Sequence, residues 1–118
     1  PDRPVVALVG DGSAMYTVQA LWTAAHYKIP LIWVIFNNTS YRILKQRLVA
    51  MRGIAEQADT FVGMELNNPA IDFVGLAKSL GIDAARATNV KDATDLIAKG
   101  LKDNRPLLID VAMERGYK

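Results

Sequence analysis

The amino-acid sequence predicts an α/β fold: a mostly parallel β-sheet with helices on both of its faces. Short runs of apolar, β-branched residues alternate along the chain with segments whose apolar residues recur at three- and four-residue spacing. This alternation is typical of parallel strands joined by right-handed helical crossovers. The chain has 118 residues, of which 51% are hydrophobic, enough for one domain with its own core. We therefore treat residues 1–118 as a single domain.

The first half of the chain predicts two buried strands separated by a helix. Residues 5–9 form a short apolar run, as expected of a strand covered on both faces. Residues 16–27 carry apolar side chains at helical spacing, and we expect the start of this helix to point at the end of the first strand. The second strand covers residues 31–36 and ends at Asn37 and Asn38.

The second half predicts three helices and two strands. A basic helix covers residues 41–52, and residues 53–68 have no clear period and predict a loop. Asn68 is a suitable N-cap for the next helix, with Pro69 in its first position and Gly81 at its end. The other predicted elements are an edge strand over 82–87, a helix over 90–102 capped by Asn89, and a final strand over 107–111.

Composition excludes several classes of protein. Without cysteine, the chain has no disulfide framework, thiolate nucleophile or cysteine metal site. A net charge of +2 is weak evidence for nucleic-acid binding. The longest apolar run, residues 29–36, is far shorter than the roughly 20 residues that a membrane helix needs, and no signal peptide is recognisable. We therefore expect a cytoplasmic protein that binds neither nucleic acid nor membrane.

Polar residues follow each of the first two predicted strands. Residues 10–13 read Gly-Asp-Gly-Ser, and residues 37–40 read Asn-Asn-Thr-Ser. Each group alone is an ordinary turn signal, but parallel strands bring their carboxyl ends to one edge of the sheet, where ligands bind. Asp11 and Asn38 offer the oxygen ligands that Mg2+ prefers, and glycines beside Asp11 allow an anion to approach the backbone. Together the two groups predict a site for Mg2+ and a diphosphate.

This pairing resembles the thiamine diphosphate (ThDP) binding motif, in which Gly-Asp-Gly is followed by a strand–helix–strand spacer and then Asn-Asn. The spacer here, from Ser13 to Phe36, has 24 residues. The likeness extends to residues 20–25, 29–30 and 106–111. The chain thus resembles the C-terminal diphosphate-binding domain of ThDP-dependent 2-oxoacid decarboxylases and carboligases. It is most similar to benzoylformate decarboxylase, with acetolactate synthase-type enzymes close behind.

The resemblance implies a set of binding residues. Asp11 and the Asn38 side chain would bind Mg2+, and Ser40 would add its main-chain carbonyl. The diphosphate would be contacted by Gly10, Gly12, Ser13 and Tyr41. No catalytic residue is implied in this chain, because in the family the glutamate that activates the cofactor comes from another domain, normally of the neighbouring subunit.

The implied activity is ThDP- and Mg2+-dependent, non-oxidative decarboxylation of a small 2-oxo acid. The alternatives are an acetolactate synthase-like carboligase and a catalytically inactive structural fragment. In the family this domain begins well before its Gly-Asp-Gly, whereas this chain begins at Pro1. We therefore expect an N-terminally truncated domain whose partners are the missing N-terminal domains and a neighbouring subunit of a homo-oligomer. A phospho-acceptor signalling domain is disfavoured, because the sequence lacks the second acidic residue and the lysine that such domains need.

Substrate choice would depend on the helix after the paired asparagines. Leu44 keeps an apolar position, but Arg47 stands where the resemblance leads us to expect an aromatic residue. An arginine can pair with a substrate carboxylate or a coenzyme A phosphate. A solvated helix face is the more common role, and we expect that role for Arg47.

Overall fold

The computed structural model describes residues 3–51 and 60–116, so residues 53–59 of the predicted loop over 53–68 lie outside the described part. Its elements follow the predicted alternation. In chain order they are β1 Val5–Gly10, α1 Asp11–Ala14, α2 Ala20–His26, β2 Leu31–Asn37, α3 Arg42–Ala50, α4 Phe73–Ser79, β3 Asp83–Ala87, α5 Val90–Asp103 and β4 Leu107–Ala112.

The four strands form one parallel sheet in the order β1-β2-β4-β3. Successive side chains of a strand point to opposite faces, and the core is accordingly divided in two. Ile35 of β2 packs with α2 and α4 on one face, and Val34 packs under α5 on the other. The predicted parallel α/β fold with helices on both faces is therefore confirmed.

Two predicted helix starts were wrong. The helix predicted over 16–27 begins at Ala20, whose N–H meets the carbonyl of Thr17 at 2.9 Å, and the separate short helix α1 follows β1 directly. The helix predicted to begin after Asn68 starts instead at Phe73. Its cap is Asp72, whose carboxylate accepts the N–H of Gly75 at 2.9 Å. In contrast, Asn89 caps α5 as predicted.

The expectation that the first strand is buried was also wrong. Val5 and Leu8 of β1 are 56% and 65% exposed. The reason is position: β1 forms one edge of the described sheet, while α5 packs on β2, β3 and β4. The prediction of a weak edge strand is correct for β3, which forms the other edge.

Among the helices of residues 3–51 and 60–116, none combines the length and the apolar character needed to cross a bilayer.

Candidate functional site

The loops that follow β1 and β2 lie side by side at the carboxyl edge of the sheet. Gly10 pairs in register with Phe36, so both strands end at the same level. The loops border a cleft of about 590 Å³. All seven residues predicted for the site line it: Gly10, Asp11, Gly12, Ser13, Asn38, Ser40 and Tyr41.

Asp11 presents a buried carboxylate, since the residue is only 4% exposed. Its Oδ1 accepts the N–H of Gly12 at 2.9 Å, and its Oδ2 accepts that of Ser40 at 3.3 Å. The side-chain oxygen of Asn38 accepts the same Ser40 N–H at 3.0 Å. A carboxylate and an amide oxygen therefore converge on one point of the backbone.

The surroundings of Asp11 are suited to a cation. Within the described part of the chain, no lysine, arginine or histidine forms an ion pair with Asp11. Buried charges in proteins are usually paired or bound to a metal, and a carboxylate can accept more than the two N–H groups seen here. The described residues contain no cluster of three or more His, Cys, Asp or Glu able to hold a metal. A cation here would thus depend on one carboxylate with amide and carbonyl oxygens.

Gly12 lies beside the ring of Tyr41. A Cβ added at Gly12 would overlap Cε1 of that ring and lie 2.6 Å from Cδ1. A larger residue would require the Tyr41 ring to move, which accounts for one of the two glycines of the motif. Gly10 differs, because a Cβ at Gly10 meets nothing within 4 Å and its φ is −72°. Nothing in the structure explains why position 10 is glycine.

The paired asparagines have separate roles. Asn38 lines the cleft, whereas Asn37 is buried and turned towards β4, where its Nδ2 donates to Oδ1 of Asp110 at 3.0 Å. The Asn37 side-chain oxygen accepts the N–H of Thr39 at 3.2 Å. Arg86 reaches to 3.9 Å from the other oxygen of Asp110. Asn37 therefore shapes the loop that presents Asn38.

Residues 64–66 hold the same loop from the other side. The carbonyl of Met64 accepts the Ser40 hydroxyl at 3.0 Å and the Tyr41 N–H at 2.9 Å. Leu66 donates its N–H to the carbonyl of Thr39 at 2.8 Å. The main chain of Ser40 is thus fixed between two stretches of backbone.

A charged cluster surrounds this contact. The Glu65 carboxylate receives a hydrogen bond from Lys45 of α3 and lies 3.1 Å from Nη2 of Arg115. The hydrogen bond from Lys45, aided by Arg115, lowers the pKa of Glu65 below its ordinary value of 4.5. Glu65 is therefore ionised at neutral pH. Lys45 itself is only 3% exposed, and its ammonium group lies 5.8 Å from the centre of the Phe61 ring.

Comparison with known proteins assigns this arrangement to a family. Residues 1–111 match the family model described as thiamine pyrophosphate enzyme, C-terminal TPP binding domain. The chain belongs to this family. Thiamine pyrophosphate is ThDP, so the predicted membership and the predicted cofactor class are confirmed.

The relatives of this TPP-binding domain include both decarboxylases and acetolactate synthases. It is 34% identical over 114 residues to IlvX of Mycobacterium tuberculosis, a candidate acetolactate synthase large subunit, covering 96% of this chain and 22% of that protein. It is 33% identical over 111 residues to benzoylformate decarboxylase of Pseudomonas aeruginosa, covering 94% of this chain and 20% of that protein. The solved structure of a ThDP-dependent 4-hydroxybenzoylformate decarboxylase from Rhodococcus jostii RHA1 superposes with a TM-score of 0.88 at 35% identity. The match covers 100% of this chain and 21% of that protein. The chain spans about a fifth of the length of these relatives.

Sequence reasoning missed three residues of the TPP-binding domain that hold the second loop. Asp110 carried a signal, since it is the only charged residue in the apolar run 107–111 and a buried charge needs a partner. Glu65 and Lys45 gave no such signal in the sequence, because they are 20 positions apart and no local pattern joins them. The basic helix predicted over 41–52 gave no indication that its Lys45 is buried. Arg47 is exposed, as expected of a solvated helix face.

Proposed function

We propose that this chain provides the Mg2+- and diphosphate-binding half of the cofactor site in an enzyme that decarboxylates a 2-oxo acid non-oxidatively, as benzoylformate decarboxylase does. The observation that carries the proposal is the convergence of Asp11 Oδ2 and Asn38 Oδ1 on the N–H of Ser40. It places two hard oxygen ligands beside a buried backbone segment in a family whose members bind ThDP.

The metal would be held by the carboxylate of Asp11, the side-chain oxygen of Asn38 and the main-chain carbonyl of Ser40. Mg2+ takes six oxygens and usually keeps phosphate oxygens and water among them. Three protein ligands leave room for both. Because only one of the three carries a formal charge, the bound ion would keep a net positive charge that attracts the diphosphate.

The diphosphate would lie against residues 10–13 and Tyr41. Gly12 has no side chain, and the Tyr41 ring lies beside it, so the ring would contact the diphosphate next to the backbone of the motif. Ser13 is exposed in the first turn of α1 and offers its hydroxyl and its N–H. Backbone N–H groups at such a turn favour a phosphate anion.

We propose that the substrate would occupy the same cleft as the anchor. Phe36, Ile43 and Leu44 also line that cleft, and we propose that it accepts a 2-oxo acid with an apolar substituent. Bound ThDP supplies the electron sink that decarboxylation requires. The role of this chain is to bind and orient that cofactor. The activating glutamate would come from the N-terminal domains of a neighbouring subunit in a homo-oligomer.

A second candidate is carboligation of the acetolactate synthase type. The relationship to IlvX supports it, and so does Arg42, which lines the cleft. Within the described residues Arg42 forms no ion pair. A guanidinium group in this position can pair with the carboxylate of a second 2-oxo acid.

Calorimetric titration of the intact protein with ThDP, with and without Mg2+, tests the anchor. We expect binding that requires Mg2+ and that Asp11→Ala abolishes. Asp95→Ala, at an exposed position on α5, is the matched control and should bind as the unaltered protein does. Unchanged ThDP binding in Asp11→Ala would refute the metal assignment.

Product analysis separates the two activities. A decarboxylase releases one carbon dioxide and one aldehyde from each 2-oxo acid. A carboligase releases one carbon dioxide for every two 2-oxo acids and joins the remaining carbons in one product. If the intact protein binds ThDP but yields neither product from any 2-oxo acid tested, the alternative of an inactive structural protein is left.

A further inference from the structure

We propose that Glu65 is a positioning residue for the metal site: it holds the main chain of Ser40 so that the Ser40 carbonyl faces the cation. This inference rests on the proposed function, because it assumes that Ser40 is a metal ligand. Glu65 itself touches neither the cofactor nor the reacting atoms.

The backbone of residues 64–66 is in direct contact with the loop that carries Ser40. Ser40 and Glu65 form an antiparallel bridge. On one side of it the Met64 carbonyl accepts from Ser40 and Tyr41, and on the other the Leu66 N–H donates to Thr39. The direction of the Ser40 carbonyl therefore depends on where residues 64–66 lie.

The residue before Ser40 is held in a strained backbone conformation. Thr39 has a φ of +55°, in the left-handed region that β-branched residues rarely adopt. Such a conformation persists only where the surroundings over-determine it. Residues 64–66 are part of those surroundings, because they form hydrogen bonds with Thr39, Ser40 and Tyr41. A weaker hold would let the loop relax away from the shape that presents Asn38 and Ser40 together.

Glu65 is anchored through both of its carboxylate oxygens. One carboxylate oxygen meets Lys45 of α3, and the other meets Arg115, which follows β4. The helix α3 begins immediately after the loop, at Arg42. The Glu65 carboxylate thus ties residues 64–66 both to the helix that leaves the loop and to the chain beyond the central strand β4. Lys45 is buried, so the pairing is shielded from solvent on that side.

The consequence should be seen in metal affinity. Outer residues that orient metal ligands typically contribute about 10- to 100-fold to metal affinity. Glu65→Gln keeps the shape of the side chain and removes its charge, so we expect the Mg2+ dissociation constant at saturating ThDP to rise about tenfold in that variant. Lys45→Met should have a similar effect. The double variant should bind Mg2+ only slightly more weakly than either single variant, because both substitutions remove the same contact between Glu65 and Lys45.

The experiment measures Mg2+ titrations at saturating ThDP, and urea unfolding, in the intact protein and its variants. Asp95→Asn, which breaks an exposed ion pair with Lys91 on α5, is the control and should leave the Mg2+ affinity unchanged. If Glu65→Gln does not fold, Arg115→Gln removes the exposed partner instead and should raise the dissociation constant by a smaller factor. Lowered stability with unchanged Mg2+ affinity would overturn the proposal, because it would show a purely structural role.

The outcome also separates this inference from the proposed function. If the unaltered protein binds ThDP without any need for Mg2+, the metal site itself is wrong. If the unaltered protein needs Mg2+ and Asp11→Ala abolishes binding while Glu65→Gln matches the control, only the role of Glu65 is refuted.

Discussion

The two loops that form the candidate site differ in what holds them. The loop after β1 is built mainly from its own residues: Asp11 accepts from its neighbour Gly12, and α1 continues directly from the strand. The loop after β2 is held by residues distant in the chain. Asp110 fixes Asn37, and residues 64–66 fix Ser40. A short motif can thus encode the first loop, whereas the second depends on the assembled fold.

The largest expected effect comes from the first loop. The methyl group added by Gly12→Ala would overlap the Tyr41 ring. Overpacking of this kind lowers the free energy of unfolding by up to about 3 kcal/mol. Urea unfolding should register this loss, and ThDP binding should weaken with it. The neighbouring Gly10→Ala is the control, because it meets no atom within 4 Å and should change stability by less than about 0.5 kcal/mol. Equal effects at both positions would show that the Tyr41 ring does not restrict the residue at position 12.

An intermediate effect is expected where the second loop meets β4. Asp110→Ala leaves the buried amide of Asn37 without its acceptor. We expect the free energy of unfolding to fall by about 2 kcal/mol. Asp110→Asn keeps an acceptor oxygen, so its free energy of unfolding should fall by less. Asp83→Ala removes an exposed aspartate on β3 that pairs with Arg105 and serves as the control, with a loss below about 1 kcal/mol. Comparable urea midpoints for Asp110→Ala and Asp83→Ala would show that the long-range contact does not hold the loop.

The smallest effect should be a gain. Thr39→Gly relieves the left-handed backbone at φ +55° and should raise stability by up to about 1 kcal/mol. The gain is limited by loss of the hydrogen bond from the Thr39 hydroxyl to the Asn38 carbonyl. Thr39→Val keeps the branched side chain and should give no gain. Thermal unfolding of the two variants decides the matter, and a Thr39→Gly variant no more stable than Thr39→Val would argue against strain in this loop.

The same contrast explains what could be predicted from the sequence. Periodicity identified the strands and α5, and the local cap Asn89 marked where α5 begins. The seven residues predicted for the site could be expected at one edge of the sheet, because six of them belong to two short motifs at successive strand ends and Tyr41 directly follows the second motif. The partners of the second loop could not be named, because the Asn37–Asp110 hydrogen bond spans 73 positions. The exposure of β1 was likewise missed, since the pattern of a strand does not reveal its place in the sheet.

The N–H of Ser40 is shared between two acceptors, Asp11 Oδ2 at 3.3 Å and Asn38 Oδ1 at 3.0 Å. A three-centre bond of this kind divides one donor, so neither oxygen is strongly committed to it. An ion entering the cleft would need to displace only that single donor to gain both oxygens, each of which lies within 3.3 Å of the Ser40 nitrogen. Little reorganisation energy would be required, and loading and release of the ion would then be governed by its own dehydration rather than by rearrangement of the protein.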